Sequence, residues 1–207
     1  MDAAGGDALM ARRAFDVSLA AIALVVLAPL MAAALAAIRL ESPGSPIYRQ
    51  RRVGRDGRAF DVLKLRTMVA GAEHIGAGLA VSQGDARITR VGRLLRRTSL
   101  DEVPNLVNVL RGEMAIVGPR PTVPVQVQAY TPRQRRRLAV KPGITGWAQV
   151  NGRTELSWDQ RIELDLWYIE HRSWSLDARI LWRTARMVLG GDGLYRGETP
   201  AWRDPGA

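Results

Sequence analysis

The 207-residue chain has no cysteine and very few histidines and lysines. The lack of cysteine excludes disulfides, thiolate metal sites and cysteine nucleophiles. Its two imidazoles, His74 and His171, lie far apart in sequence and form no HExxH pair, so a histidine-ligated zinc site is not expected. Neither Lys64 nor Lys141 follows a GxxxxG stretch, and no GxGxxG follows a predicted strand. A P-loop is therefore excluded and a dinucleotide-binding fold is unsupported.

Positive charge, in contrast, is abundant and comes almost entirely from arginine. The formal net charge is +10. A balance of this kind favours a polyanionic partner, which could be nucleic acid, anionic lipid or a phosphate-bearing substrate. The planar guanidinium of arginine suits phosphate oxygens better than the point charge of lysine. A genome whose codon usage favours arginine explains the composition equally well, so the charge alone does not show that the protein binds a polyanion.

A long uncharged segment, Val17–Ile38, lies near the N-terminus. An uninterrupted helix of ~20 such residues would span the ~30 Å hydrocarbon core of a bilayer. Pro29 removes a backbone donor near the middle, which predicts a break there. Arginines flank both ends, at Arg12, Arg13 and Arg39. Because cationic flanks prefer the cytoplasmic side, the pattern favours a re-entrant helix that bends at Pro29 and returns to the same face.

Three alternatives compete with the re-entrant interpretation. A kinked spanning helix also tolerates proline. The alanines of Ala32–Ala37 resemble the cleavage region of a signal peptide, although the basic stretch that follows would impede translocation. A buried helix of a soluble fold is the third, but few soluble folds bury so long an apolar run on every side. Contact with a membrane is therefore the prediction.

The rest of the chain predicts an α+β domain, mostly helical, with one short β-hairpin. Strands are predicted at Ile47–Gln50 and Phe60–Arg66, with Asp56-Gly57 as the turn. Helices are predicted at 104–110, 158–171 and 176–189, while 88–97 is left undecided between helix and strand. The last helix carries arginine and tryptophan, which fits either an interfacial helix or an ordinary surface helix. The predicted organisation is a membrane-embedded helix-break-helix at 1–40, a domain at 41–190 and an irregular tail at 191–207.

Two adjacent carboxylates, Asp101 and Glu102, form the first candidate site. Ser99 with Glu102 matches a capping box, which is the structural alternative. Pro104 is instead suited to the first helical position, which would place both carboxylates beside a helix N-terminus and favour their ionised forms. An ionised aspartate near a divalent cation and arginines can attack phosphorus or hold the metal.

A second group of candidates is cationic. Arg120 lies between two prolines, which restrict its backbone and suit a bidentate grip on phosphate. Lys64 and Arg66 alternate along a predicted strand and would share one face. The alternatives are a rigid turn with an exposed arginine and a solvated strand face.

The order of these motifs closely resembles the bacterial sugar transferase family, the monotopic polyprenyl-phosphate phosphoglycosyl transferases. The motifs are YRQRRVG from Tyr48, KLRTM from Lys64, TSLDEVPN from Thr98, NVLRG from Asn108, VGPRP from Val117 and KPGITGWAQVNGR from Lys141. The likeness runs from about Arg12 to Leu189. The family usually has serine before the membrane proline, where this chain has Ala28.

The resemblance implies a covalent, two-step transfer. Asp101 would attack the sugar-linked phosphate of a UDP-sugar, release UMP and form a phosphosugar-aspartate. Polyprenyl (undecaprenyl) phosphate would then take the phosphosugar, which initiates cell-surface glycan or exopolysaccharide synthesis. Mg²⁺ would neutralise phosphate charge, held by Asp101 or Glu102.

The remaining expectations also follow from the resemblance. Phosphate-binding residues would be Arg120, Lys64, Arg66 and Arg153, and Pro29 would be the membrane break. The chain would be a minimal form of the family on the cytoplasmic face of the bacterial inner membrane. Its partners would be the two substrates and the bilayer, not nucleic acid, with homodimerisation left open. The alternatives are a nucleic-acid-binding protein, a membrane-anchored scaffold without catalysis and a conventional glycosyltransferase that releases UDP.

Overall fold

The computed structural model describes residues 3–75, 84–152 and 156–190. Its first element is helix α1, Ala3–Glu41, which continues through Pro29. The structure thus has one helix where the sequence predicted two separated by a break. Of the described residues, only the segment Asp7–Glu41 is a helix long and apolar enough to cross a membrane.

The predicted β-hairpin is confirmed. Strand β1, Ile47–Val53, pairs antiparallel with β2, Ala59–Leu65. A short 3₁₀ turn, Arg55–Gly57, joins them, with Asp56 and Gly57 in the left-handed region that such turns require. Strand β1 extends three residues beyond the predicted end.

The later helices largely match their sequence signals. The elements are α2 at Arg90–Thr98, α3 at Asn105–Arg111, α4 at Pro124–Gln128, α5 at Pro132–Arg135, α6 at Trp147–Val150, α7 at Trp158–Glu170 and α8 at Trp174–Leu189. Short strands β3, Ala115–Val117, and β4, Gly143–Thr145, pair in parallel. Ser157 caps α7 as predicted, and Gly112 ends α3 with a φ of 82°. The stretch 88–97, left undecided between helix and strand, is helical from Arg90 onward, and α8 begins two residues earlier than predicted.

Helix α1 packs one face against the rest of the domain over most of its length. Ala20 belongs to the main core beneath α3, β3, α7 and α8, while Ala34 and Ile38 pack with Leu65 and Leu95. Polar contacts also hold the helix on either side of its uncharged segment. Arg13 Nη1 donates to the Val109 carbonyl at 2.6 Å, and Glu41 accepts from the backbone N–H groups of Arg90 and Val91 at 2.7 and 2.9 Å. The opposite face exposes large apolar side chains at Ile22, Val25, Val26, Leu30 and Leu40.

Candidate active site

The two carboxylates lie in a tight turn between α2 and α3. Ser99 adopts a left-handed conformation that ends α2, and a 3₁₀ turn, Leu100–Glu102, leads into α3. The Ser99 side chain caps nothing, and its buried hydroxyl has no hydrogen-bond partner among the described residues. The capping-box alternative is therefore wrong, and Glu102 is available for other contacts.

Glu102 is a buried anion held between two cations. It is 4% exposed, and its Oε1 accepts hydrogen bonds from Lys64 Nζ at 2.9 Å and from Arg120 Nη2 at 2.7 Å. Burial alone would raise the pKa of Glu102, but the charges of Arg120 and Lys64 and their hydrogen bonds hold it well below its usual range. Glu102 is therefore ionised at any physiological pH.

Asp101 has the opposite environment. Its side chain is almost completely buried, and Oδ1 has no hydrogen-bond partner among the described residues. Burial, followed by the negative charge of Glu102, raises the pKa of Asp101 to about 6, although Lys64, Arg96 and Arg120 act in the other direction. The helix-terminus argument predicted that both carboxylates would favour ionisation. That prediction is wrong for Asp101, because burial outweighs the contribution of about 0.3–1 kcal/mol that a helix end supplies.

Opposite pKa shifts in two neighbouring carboxylates are typical of a reactive pair. A carboxylate that is held by two cationic donors is a weak nucleophile, because its lone pairs are occupied. A carboxylate with a raised pKa and an unpartnered oxygen is more basic and better able to form a bond. Pairs of titratable groups whose pKa values are driven apart mark acid, base and nucleophile assignments in enzymes. The environment of Asp101 therefore suits a reactive carboxylate, and that of Glu102 suits a fixed counter-ion.

The segment that carries Arg120 is braced at four consecutive carbonyl groups. The carbonyls of Pro119 and Thr122 accept from the backbone N–H groups of Gly143 and Val53, at 2.9 and 2.8 Å. The carbonyl of Arg120 accepts from Arg137 Nη2 at 2.8 Å, and that of Pro121 accepts from Arg52 Nη1 at 3.2 Å. We call residues 119–122 the braced loop. Its backbone is fixed while the Arg120 side chain, 39% exposed, reaches Glu102.

An open pocket of about 270 Å³ lies where these elements meet. Its polar lining residues are Arg52, Lys64, Glu102, Asn105 and Arg120. Asn105 is 3% exposed, and its Oδ1 has no hydrogen-bond partner among the described residues. Three cationic side chains around a single anion leave the wall with net positive charge. The pocket is therefore suited to a small polyanion such as a phosphate ester.

The structure brings together some of the predicted residues but not others. Lys64, Asp101, Glu102 and Arg120 form one cluster. Arg66 does not join it, because its guanidinium donates to the carbonyls of Pro43 and Ser42 at 2.6 and 2.7 Å. The predicted place of Arg66 in the pocket beside Lys64 is therefore wrong. The predicted phosphate contact of Arg153 lies outside the described residues.

Sequence reasoning gave no site function to four residues: Arg52, Arg96, Asn105 and Arg137. Arg96 Nε donates to Thr67 Oγ1 at 2.9 Å, and its charge lowers the pKa of Asp101. Arg52 and Asn105 lie within the quoted motifs and Arg96 lies just before one of them, and this position was the only sequence signal for a function in the site. Nothing in the sequence distinguished Arg137 from the exposed arginines around it.

The oxygen ligands that this site could offer to the expected magnesium ion are few. Among the described residues no three His, Cys, Asp or Glu side chains group together as a metal site. Mg²⁺ is nevertheless commonly held by one or two carboxylates with phosphate oxygens and water. The unpartnered Oδ1 of Asp101 fits one such ligand. Glu102 does not fit in this arrangement, because Lys64 and Arg120 occupy its oxygens.

The chain is similar in sequence to known sugar transferases. A family profile described as bacterial sugar transferase matches residues 7–191. The uncharacterized sugar transferase EpsL of Bacillus subtilis is 41% identical over 189 residues, which cover 91% of this chain and 92% of the relative. UDP-glucose:undecaprenyl-phosphate glucose-1-phosphate transferase of Caulobacter vibrioides is 44% identical over 195 residues, covering 89% and 72%. Undecaprenyl-phosphate galactose phosphotransferase of Salmonella typhimurium is 38% identical over 200 residues, covering 89% of this chain and 41% of the relative.

Proposed function

The chain belongs to the bacterial sugar transferase family, and from that premise we propose that it transfers a sugar 1-phosphate from a UDP-sugar to undecaprenyl phosphate. The product would start the synthesis of a cell-surface glycan or exopolysaccharide. The observation that carries the proposal is the Asp101–Glu102 pair, with opposed pKa shifts, beside a positively charged pocket. A pocket of that charge suits the diphosphate of a nucleotide sugar.

In the first proposed step, an Asp101 oxygen attacks the phosphorus bonded to the sugar. A new bond forms between that oxygen and phosphorus, the phosphoanhydride bond breaks, and its electron pair leaves with UMP. Lys64 and Arg120 are placed to hold phosphate oxygens during this displacement, because both already reach into the pocket. Glu102 keeps these two cations in position.

In the second proposed step, an oxygen of the lipid phosphate attacks the same phosphorus. The bond to Asp101 breaks and its carboxylate is restored, so the products are the undecaprenyl diphosphosugar and the free enzyme. Mg²⁺, when bound beside Asp101, would supply neutralisation of phosphate charge.

We also propose that α1 holds the enzyme on one face of the membrane. From Asp16 to Glu41 the helix would cover about 38 Å if straight, which exceeds a ~30 Å hydrocarbon core. The same domain contacts α1 at Arg13 and again at Glu41. A perpendicular span would draw that charged domain into the lipid. The exposed apolar face of α1 is therefore better placed within one leaflet, with both ends in the cytoplasm.

Helix α8 is proposed as a second interfacial element. Trp182 and Leu189 are 66% and 87% exposed, while Arg179 lies exposed on the same helix. Tryptophan and arginine together favour the headgroup level of a bilayer. The acceptor phosphate is found at that level, so the active site would lie there too.

Membrane topology can be tested directly because the native chain has no cysteine. Single cysteines at residues 5 and 45 should both react with a membrane-impermeant thiol reagent only from the cytoplasmic side, in inverted vesicles and not in intact spheroplasts. Labelling of the two positions from opposite sides would contradict a one-face arrangement and indicate a spanning helix.

The pH dependence should report the raised pKa of Asp101. Only its ionised form can attack phosphorus, so kcat/KM for the donor should rise as pH increases from 5 to 7, with a midpoint near 6. An aspartate with the ordinary value of 3.8 would give a flat profile over this range. Initial rates measured at constant ionic strength from pH 5 to 8 test this. A flat profile between pH 5 and 7 would contradict the environment described for Asp101.

The proposed function itself is tested by the identity of the nucleotide product. Purified protein should release UMP from at least one member of a panel of UDP-sugars when undecaprenyl phosphate is present. Release of UDP would indicate a conventional glycosyltransferase. Release of neither nucleotide with any donor would favour a scaffold without catalysis.

A further inference from the structure

We propose that Arg137 and Asp165 form a positioning pair that holds Arg120 in its working place, an inference that rests on the proposed function. Neither residue contacts the pocket that contains Glu102. Their effect passes instead through the main chain of the braced loop.

The pair is deeply buried, and all three nitrogens of the Arg137 guanidinium donate hydrogen bonds. Arg137 and Asp165 are 5% and 1% exposed, and Arg137 Nε donates to Asp165 Oδ2 at 2.6 Å. Arg137 Nη1 donates to Tyr130 OH at 2.7 Å and to Thr122 Oγ1 at 3.1 Å. Its Nη2 donates to the carbonyl of Arg120 at 2.8 Å. One planar guanidinium thus joins helix α7 to the braced loop at two points.

The segment that carries Arg137, residues 133–137, can be attached to α7 without a buried ion pair. Two exposed pairs already connect the same parts of the chain, Arg133 with Glu163 at 2.7 Å and Arg136 with Glu170 at 2.9 Å. Burying charges costs desolvation free energy, and apolar side chains of similar volume often replace a buried pair without loss of stability. What an apolar pair cannot do is donate a hydrogen bond to the Arg120 carbonyl.

That donation matters because of the position of Arg120. Its side chain is partly exposed and long, so its reach to Glu102 depends on where its backbone is fixed. Arg120 also lines a second pocket, of about 200 Å³, on whose wall Arg137 lies. The wall between the two pockets is therefore the braced loop itself. If the loop shifts, the Arg120 guanidinium moves away from Glu102 and from the donor phosphates.

The main test replaces the pair by apolar residues, Arg137→Met with Asp165→Leu in one chain. The midpoint of thermal unfolding should stay within a few degrees of wild type, while kcat/KM for the UDP-sugar should fall at least about tenfold. The matched control is Glu163→Gln with Glu170→Gln, which weakens the exposed pairs on the same helix and should leave kcat/KM within about twofold. A stable apolar variant with wild-type kinetics would overturn the proposal.

A double-mutant cycle separates positioning from a general structural effect. Asp165→Asn should lower kcat/KM at least about tenfold in the wild-type background but less than about twofold in an Arg120→Ala background, because the side chain it positions is then missing. Equal losses in both backgrounds would contradict a route through Arg120. This comparison also decides the matter if the apolar variant fails to fold.

A readout without catalysis keeps this proposal distinct from the proposed function. The backbone amides of Val53 and Gly143, which donate to the braced loop, and that of the adjacent Gly118 should exchange with deuterium faster in Asp165→Asn than in Glu163→Gln. If wild-type protein releases no UMP yet the exchange difference is found, the function is wrong and the positioning contact stands. Unchanged exchange in a folded Asp165→Asn protein would overturn the contact itself.

Discussion

Asp101→Asn is expected to reduce UMP release at least about 10³-fold while leaving the protein folded and bound to membranes. Asparagine keeps the size of the side chain but removes the carboxylate that is proposed to attack phosphorus. Because burial raises the pKa of Asp101, its charged form is disfavoured in the folded protein, so a neutral amide should not lower stability at pH 8. UMP release and the thermal midpoint should be measured on the same preparation.

The control for this substitution is Asp61→Asn. Asp61 is half exposed and pairs with Arg51 at 3.3 Å on the outer surface of the hairpin. Surface pairs of this kind contribute about 0–1 kcal/mol, so the control should retain wild-type turnover. Substantial activity in the Asp101 variant, in a preparation free of wild-type protein, would refute its assignment as nucleophile.

Glu102→Gln should give the second largest loss, about 10²-fold in kcat, and it should also shift the pH profile. The amide cannot balance the charges of Lys64 and Arg120, so both cations lose the partner that places them. The negative charge of Glu102 is also one cause of the raised pKa of Asp101. Without it that pKa falls, and the acid limb of kcat/KM should move to lower pH. Rates from pH 4.5 to 8 test both effects together.

The shift in pH profile separates two functions for Glu102. If Glu102 only stabilised the fold, its substitution would lower the rate equally at every pH. A movement of the acid limb to higher pH would contradict the electrostatic coupling between the two carboxylates. Near-normal rates at saturating magnesium would remove Glu102 from the site altogether.

The parts of the fold that the sequence predicted are those with local signals. The Asp56-Gly57 turn fixed the hairpin, because few residues tolerate its left-handed backbone. Ser157 and Gly112 marked the ends of two helices through capping chemistry that acts within four residues. The adjacent carboxylates and Arg120 were found because composition and spacing are visible in the chain itself.

What the sequence could not predict depends on contacts between distant segments. Helix α1 stays continuous through Pro29, as one face of it packs against the domain on both sides of the proline. Tertiary packing can offset the loss of one backbone hydrogen bond. Arg66 missed the pocket because its guanidinium binds the carbonyls of Pro43 and Ser42, which lie more than 20 residues earlier in the chain.

The sequence also gave no measure of how deeply individual charged side chains are buried. The raised pKa of Asp101 arises from burial that only the folded chain supplies, whereas a helix terminus is visible in the sequence. Arg137 could not be distinguished from Arg133 or Arg136, because its partner Asp165 lies 28 residues away on another helix. A run of arginines usually indicates a solvated face, and in this run one member is buried.

The most direct measurement is the search for a covalent adduct on Asp101. Wild-type protein should be mixed with a radiolabelled UDP-sugar without lipid acceptor, quenched within seconds and digested. The tryptic peptide Thr98–Arg111 should carry the mass of one phosphosugar, localised by fragmentation to Asp101 and not Glu102, and undecaprenyl phosphate added before the quench should remove it. Turnover without an adduct at any time, or an adduct on another residue, would contradict the account.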